Sequence, residues 1–518
     1  MNLRSSAWIP VTGDGRRATV NLEALFLRAH EFDDISVDLA PAASGLWRIL
    51  TVVAARVTGL DRPDLDAAAW LQLRDDVLDD GAFDAEAVQK YFGTHEDRFG
   101  LFDAARPWMQ DPRLAQQCGR LTGLNTVVFG RPAGNNQSWM SHHRDADPIP
   151  IPAQEAVLQV IAQLYHGAPG RCTSRTVATT TAADCKTAPL RGLVSYHPVG
   201  ESVFESLVMS IPHLPYNPDA DGEDYAFWEL PDLPDPLRPP QPSAGVGGVL
   251  AGRFAHALLL VGSPDKSMVV DGYRTWGVRH PVPPARDPFL IYQVSKAGQT
   301  YARLADADRA LWRDLDGLLL ENCGLEKSNP PTVFANAHHV ADVGVLERLR
   351  VRAFAFDQDR AQTSDRQWFT ASTPPVLRRL SSPQAAAGVS AARIAAETMA
   401  RRLDQALRAA WVAINDPADG GTDSVPADST KARATRRESD IAASRWQATA
   451  AARYWPEAER EFWQQIRDNE FDRPMQRYRG LALRAFDQAT DTTGNRPRTR
   501  RAIERARTLL FTTRKKKP

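Results

Sequence analysis

Hydrophobic positions follow two regimes along the chain. Up to about residue 380 they form short runs broken by loops, and beyond it they recur at helical spacing. In the first regime, Asn2 to Val11 and Arg17 to Leu25 read as short strands opening a mixed domain. Leu46 to Val57 predicts a helix, with Leu46, Leu50 and Val53 in one row. Ala153 to Tyr165 predicts another, with Val157, Val160, Ile161 and Leu164 on one face. Six prolines between Pro231 and Pro242 predict an extended connector, because proline joins neither helix nor sheet ladders. Ala257 to Val261, Met268 to Val270 and Leu290 to Val294 are β-type runs, and Arg309 to Leu319 returns to helix.

In the second regime alanine and arginine dominate. Met399, Leu403, Leu407, Trp411 and Ile414 make one apolar stripe, and a polar loop, Asn415 to Ser429, ends that helix. Trp446, Ala450, Tyr454, Ala458, Phe462 and Ile466 make a second stripe, which Pro456 is expected to kink or split. Met475 to Ala489 and Arg498 to Thr512 supply two more helical segments. The expected architecture is α+β: a mixed α/β domain over residues 1–379, then a C-terminal four-helix bundle over residues 380–518.

Composition narrows the function classes. Across 518 residues, 43% are hydrophobic and 24% charged, as in ordinary globular chains. Lys+Arg and Asp+Glu are both 63, so any nucleic-acid role must rest on local patches or on partners. The sharpest patch is residues 496–518, with ten cations against one carboxylate, Glu504. Cys118, Cys172, Cys185 and Cys323 show no C-x-x-C spacing and read as reduced thiols of a cytoplasmic protein. Neither a signal peptide nor a run of about 18 apolar residues is expected, so no membrane partner is.

Catalytic motifs are lookalikes. Gly245 to Gly252 suggests a phosphate loop, but its spacing fits neither known pattern, and a flexible turn entering a strand is the expectation. His142, His143 and Asp145, near Asp147, carry metal-ligand chemistry without helical ligand spacing, and His338-His339 is a similar case. There is no G-x-S-x-G and no H-E-x-x-H. The expectation is a non-enzyme with no cofactor and no metal. The competing readings are a stand-alone metal hydrolase using His142, His143 and Asp145, or a protein-only scaffold.

Four separated segments then point one way. They are Asn2-Leu3 with Ala7-Trp8-Ile9-Pro10-Val11 and Val20-Asn21-Leu22; Arg98-Phe99-Gly100-Leu101-Phe102 with Pro107-Trp108-Met109-Gln110; Arg309-Ala310-Leu311-Trp312-Arg313; and Arg453-Tyr454-Trp455 with Glu461-Phe462. Taken singly, Trp8 or Trp108 is a core aromatic. In this order and spacing the four resemble the CasA family, the large subunit of the type I-E CRISPR Cascade complex. That resemblance implies a non-catalytic subunit. Its partners would be the other Cascade subunits, the 5′ handle of the CRISPR RNA, double-stranded target DNA and a helicase-nuclease. The protein would read a short protospacer-adjacent motif (PAM) while base pairing reads the sequence.

The resemblance also implies site residues. A loop near the RNA handle matches Val128, Phe129, Gly130 and Arg131, with either Val128 or Phe129 at the family's aromatic position. The PAM loop matches Thr179 to Asp184, hence Thr181, Ala182, Ala183 and Asp184, followed by Lys186 and Arg191 as backbone-gripping cations. The family's glycines are absent there, and an exposed Asp184 would repel phosphate. A polar wedge that parts the strands matches Phe356 to Asp359 with Gln358 at its tip, the amide offering donors and acceptors without charge. The minor-groove cation is Lys266, or Arg274 as a substitute. Arg433, Arg436 and Arg437 in the helical domain are expected to hold the DNA backbone.

Overall fold

Asn21 decides where the first helix begins. Its side-chain oxygen accepts a 2.7 Å hydrogen bond from the Ala24 amide, an N-cap that turns Leu22–Leu27 into a helix. The expected strand Arg17 to Leu25 is therefore strand only over Arg16–Val20, and the expected strand Asn2 to Val11 only over Ile9–Gly13. These two pair antiparallel, with Asp34–Ile35 on the other side of Ile9–Gly13.

The computed structural model describes residues 1–132, 142–214, 223–240, 243, 245–252, 254–280, 286–295, 297–319, 328–335, 339–358, 365–376, 383–415, 445–491 and 496–511. The chain divides into two compact units. One holds Met1–Leu311 and most of the chain to Arg378; the other holds Trp312–Asp316 and everything from Arg379.

In the first unit, the helix Ala40–Thr58 is buried along almost its whole length and packs against the helix Ala153–His166. A three-stranded antiparallel sheet places Arg350–Gln358 between Val194–Val199 and Asp365–Ser372. A second pairs Met268–Trp276 with His256–Gly262 and Ile151–Pro152, and a hairpin pairs Gly170–Val177 with Thr180–Cys185. The first two family-like segments meet here as packing: the Leu3 amide donates to the Phe99 carbonyl at 2.8 Å, and Trp8 and Trp108, both buried, sit 6.1 Å apart. Gly245 to Gly252 is not a turn entering a strand. Val246–Ala251 is a short helix, because the Asp224 carboxylate accepts from the Gly247 and Gly248 amides at 2.8 and 2.7 Å and fills the position a phosphate would need.

In the second unit, the helix Pro383–Asn415 packs against Arg445–Asp468, Pro474–Thr490 and Pro497–Arg507. Met399, Leu403 and Leu407 are buried, as is every residue of the second stripe, from Trp446 to Ile466. Pro456 does not split its helix: it stands on the exposed side, away from that stripe. The other two family-like segments also meet. Trp312 packs on Phe462 with centroids 4.7 Å apart, and the Arg313 guanidinium lies 3.9 Å from the Trp455 ring centre. The expected helix Arg309 to Leu319 is a 3-10 turn, Leu311–Asp314, running into a short helix, Leu315–Leu319.

Candidate functional site

Along the strand Arg350–Gln358 side chains alternate, so Phe354, Phe356 and Gln358 share one face and Asp357 takes the other. Asp357 is 2% exposed, and its carboxylate accepts a 2.9 Å bond from the Ala307 amide, which keeps that charge off the Gln358 face. Gln358 is not a loop tip. It is the last residue of the strand, paired with Asp365 across a bulge at Asp357/Gln358. The extra residue of the bulge lies in the partner strand, so the alternation along Arg350–Gln358 holds to its end. Asp359 lies outside the described residues. The Gln358 amide rests against Gly192, where an added Cβ would meet its Nε2 at 3.2 Å. Its Oε1 is buried and accepts no hydrogen bond from the described residues.

The short helix Leu124–Val127 delivers the next element. Val128 caps it and is buried at 6% exposure, so it cannot stack on a nucleotide. The Phe129 amide donates to Gln159 Oε1 at 2.7 Å, and its half-buried ring packs on Phe356 and Trp368 at 5.7 and 5.8 Å. Gly130 holds φ +87°, and an added Cβ would lie 2.9 Å from the Trp368 ring. Arg131 reaches away, donating to the Ile149 carbonyl at 2.8 Å. Phe356 and Trp368 lie 6.3 Å apart with planes 10° from parallel. The loop Val128 to Arg131 and the strand bearing Gln358 thus meet in one aromatic cluster.

The cations distribute differently from the sequence expectation. Thr181, Ala182, Ala183 and Asp184 do not form a loop but lie in the strand Thr180–Cys185, and the turn is Ala178-Thr179, with Ala178 at φ +51°. The hairpin is tied to the neighbouring sheet by Trp276, whose indole N–H donates to the Ala182 carbonyl at 3.0 Å. Asp184 does not stand as a bare negative charge, because Arg279 pairs with it at 3.2 Å. Sequence reasoning missed Arg279, 95 residues away, and no local signal marks it. Lys186 follows the strand and is exposed. Arg191 is no surface grip: it is 4% exposed, donates to the His166 carbonyl at 2.9 Å and lies over Phe356 at 4.8 Å. Arg274 is 9% exposed and donates to the Ala168 carbonyl, so it does not substitute for Lys266. Lys266 is exposed at φ +57°, in a turn whose Asp265 carboxyl is held down to about 2 by the Ser263 and Ser267 hydroxyls. Arg433, Arg436 and Arg437 lie outside the described residues.

The hydrolase alternative gains no geometry. Among the described residues no group of three or more His, Cys, Asp or Glu stands close enough to hold a metal, and Asp145 is engaged by Asn125 at 2.8 Å. A Ser–His contact exists, Ser195 to His197 at 3.2 Å, but both residues are at most 3% exposed, and no substrate reaches them.

Comparison with known proteins identifies relatives of the whole chain. A sequence model of the CRISPR-associated protein Cse1 family matches residues 2–493. A CRISPR-associated protein CasA/Cse1 from Thermus thermophilus is 25% identical over 373 residues, 70% of this chain and 69% of that protein. A chain solved in a CRISPR RNA-guided surveillance complex superposes with a TM-score of 0.86 and 38% identity, covering 99% of both chains. The solved Thermus thermophilus CasA (Cse1) shares the fold, with a TM-score of 0.72 at 19% identity over 99% of this chain and 98% of that one.

Proposed function

The chain belongs to the CRISPR-associated CasA/Cse1 family of type I-E systems, and from that premise we propose that it is the large, non-catalytic subunit of an RNA-guided surveillance complex. In this reading it works with the other Cascade subunits beside the CRISPR RNA 5′ handle. It reads the PAM in duplex DNA, helps open the duplex into an R-loop and recruits a helicase-nuclease for antiviral defence. Its C-terminal helices act as a four-helix bundle that holds the DNA backbone by charge. No described helix is long and apolar enough to cross a membrane.

One observation carries the reading. The handle-loop Phe129 and the strand ending at Gln358 share the aromatic pair Phe356 and Trp368. An RNA-side element and a DNA-opening element therefore act as one piece. Gln358 is the wedge, half-exposed at its strand end, with an amide that offers both donors and an acceptor to base edges. Lys186 and Lys266, both exposed, are the phosphate-facing cations, and the strand Thr180–Cys185 is the motif-reading edge.

Permanganate footprinting of the first base pairs, in a reconstituted complex, tests it. Opening a base step costs roughly 1–2 kcal/mol of stacking. Gln358→Ala should therefore open a closed duplex roughly tenfold more slowly, and recover most of its rate on a target with mismatches pre-opened beside the motif. Lys186→Ala should instead weaken initial capture, less so at higher salt, where the lost phosphate contact is already screened. A wild-type opening rate for Gln358→Ala on closed duplex removes the wedge assignment. A separate expectation concerns the bundle. Neutralising Arg433, Arg436 and Arg437 should weaken binding to all sequences about equally and flatten its salt dependence, since phosphate contacts carry no sequence information. A loss confined to one motif contradicts that role.

A further inference from the structure

We infer that Arg191 is a positioning residue for Gln358, acting through Phe356 and through the notch at Gly192. This rests on the wedge reading of Gln358 and assigns the side chain that aims it. Arg191 has the composition of a phosphate contact but not its placement. It is 4% exposed, and its guanidinium is drawn inward by the His166 carbonyl at 2.9 Å and the Phe356 ring at 4.8 Å. A cation over a desolvated aromatic face is held far more firmly than one at the surface.

The segment around it is pinned on both sides of Gly192. Phe356 donates its amide to the Leu193 carbonyl at 3.2 Å, and Ala305 donates to the Gly192 carbonyl at 2.9 Å. Gly192 stands at φ +76°, a conformation that favours glycine, and presents no side chain where the Gln358 amide lies. Phe356 and Gln358 are two residues apart on the same strand face, so a ring fixed by Arg191 also fixes where the amide emerges. The same ring meets Phe129 and Trp368. Arg191 thus seats the strand end from the interior while the handle loop seats it from the other elements of the cluster.

The test uses two variants in the reconstituted complex. Arg191→Met keeps length and burial but removes the charge. Gly192→Ala leaves Arg191 intact and fills the notch, with its Cβ 3.2 Å from Gln358 Nε2. Both should slow opening of closed duplex by about the factor seen for Gln358→Ala, roughly tenfold. Both should leave initial capture and its salt dependence unchanged, and both should recover on pre-opened targets. Adding either change to Gln358→Ala should cause no further loss, because residues acting through one another are not additive. If Arg191→Met weakens capture and flattens the salt dependence, Arg191 contacts phosphate and the inference is overturned. If Gln358→Ala is slow while both variants open at the wild-type rate, Gln358 is the wedge but Arg191 does not aim it. If Gln358→Ala itself opens normally, the wedge reading has failed, and the inference goes with it. Should Arg191→Met fail to fold, Arg191→Lys, which keeps the charge but not the planar guanidinium over Phe356, decides: opening at the wild-type rate with unchanged capture overturns the inference.

Discussion

Replacing Trp312 with alanine is expected to destabilise the helical unit by about 3–5 kcal/mol, the range for removing a fully buried aromatic. Trp312 is 1% exposed and belongs to the unit formed with residues 379–518, although it lies far upstream of them in the chain. Its ring packs on Phe462, itself fully buried, at 4.7 Å, and meets Trp455 at 6.2 Å. The adjacent Arg313 bonds Glu397 at 2.7 Å and covers the Trp455 ring, so the insertion is held by charge as well as by area. Truncation leaves a cavity between helices that cannot collapse without moving the Arg445–Asp468 helix. Trp312→Phe, which keeps most of the volume, should cost less than half as much. Urea denaturation of the full chain, followed by helical circular dichroism, measures both. A loss under about 1 kcal/mol for Trp312→Ala, the scale of an ordinary exposed substitution, contradicts this account.

Acidification should unfold the first unit selectively. His166, His197 and His256 are each 3% exposed or less, and burial is the main force pushing their imidazoles well below the usual histidine range. Neighbouring guanidinium groups add to it: Arg48 and Arg191 at His166, Arg48 and Arg352 at His197, Arg274 and Arg191 at His256. Above about pH 6.5 these residues are neutral folded and unfolded, and they make no pH-dependent contribution. Below it the unfolded chain takes up protons that the folded unit refuses. Stability then falls by about 1.4 kcal/mol per pH unit for each histidine, roughly 4 kcal/mol per unit for the three. No histidine lies in the second unit, so its stability should stay level over the same window. Urea midpoints at pH 7.5 and about pH 5.5, read by a probe in each unit, check the sign. Equal midpoints for the first unit would refute it. His256→Gln should flatten the slope by about a third.

Family membership was legible in the chain because its four segments are local strings, and a string survives unfolding. Their physical meaning was not. Trp8 and Trp108 pack together, and Trp312 packs on Phe462, through separations no window along the chain spans. The segment Thr181 to Asp184 shows the same limit. The family resemblance implies a loop there, yet strand pairing with Gly170–Val177 and the Trp276 bond at Ala182 recruit it into a hairpin. Small residues permit either state, and the neighbouring sheet chooses.

What the sequence determined by itself is what nearest neighbours can decide. Apolar spacing of three and four set the C-terminal helices within one or two residues at most ends, because the helix repeat is written in consecutive positions. The charge excess of residues 496–518 is likewise local, and so is the cap at Asn21, which the strand reading of Arg17 to Leu25 overlooked. The tertiary structure alone decided which cations face solvent. Arg191 and Lys186 are five positions apart and alike in charge, yet one is buried under Phe356 and the other exposed. It also placed Gln358 at a strand end against Gly192 rather than on a loop tip. Burial depends on which distant surfaces a residue meets, and that depends on how the sheets and helices pack, not on the residue's own neighbours in the chain.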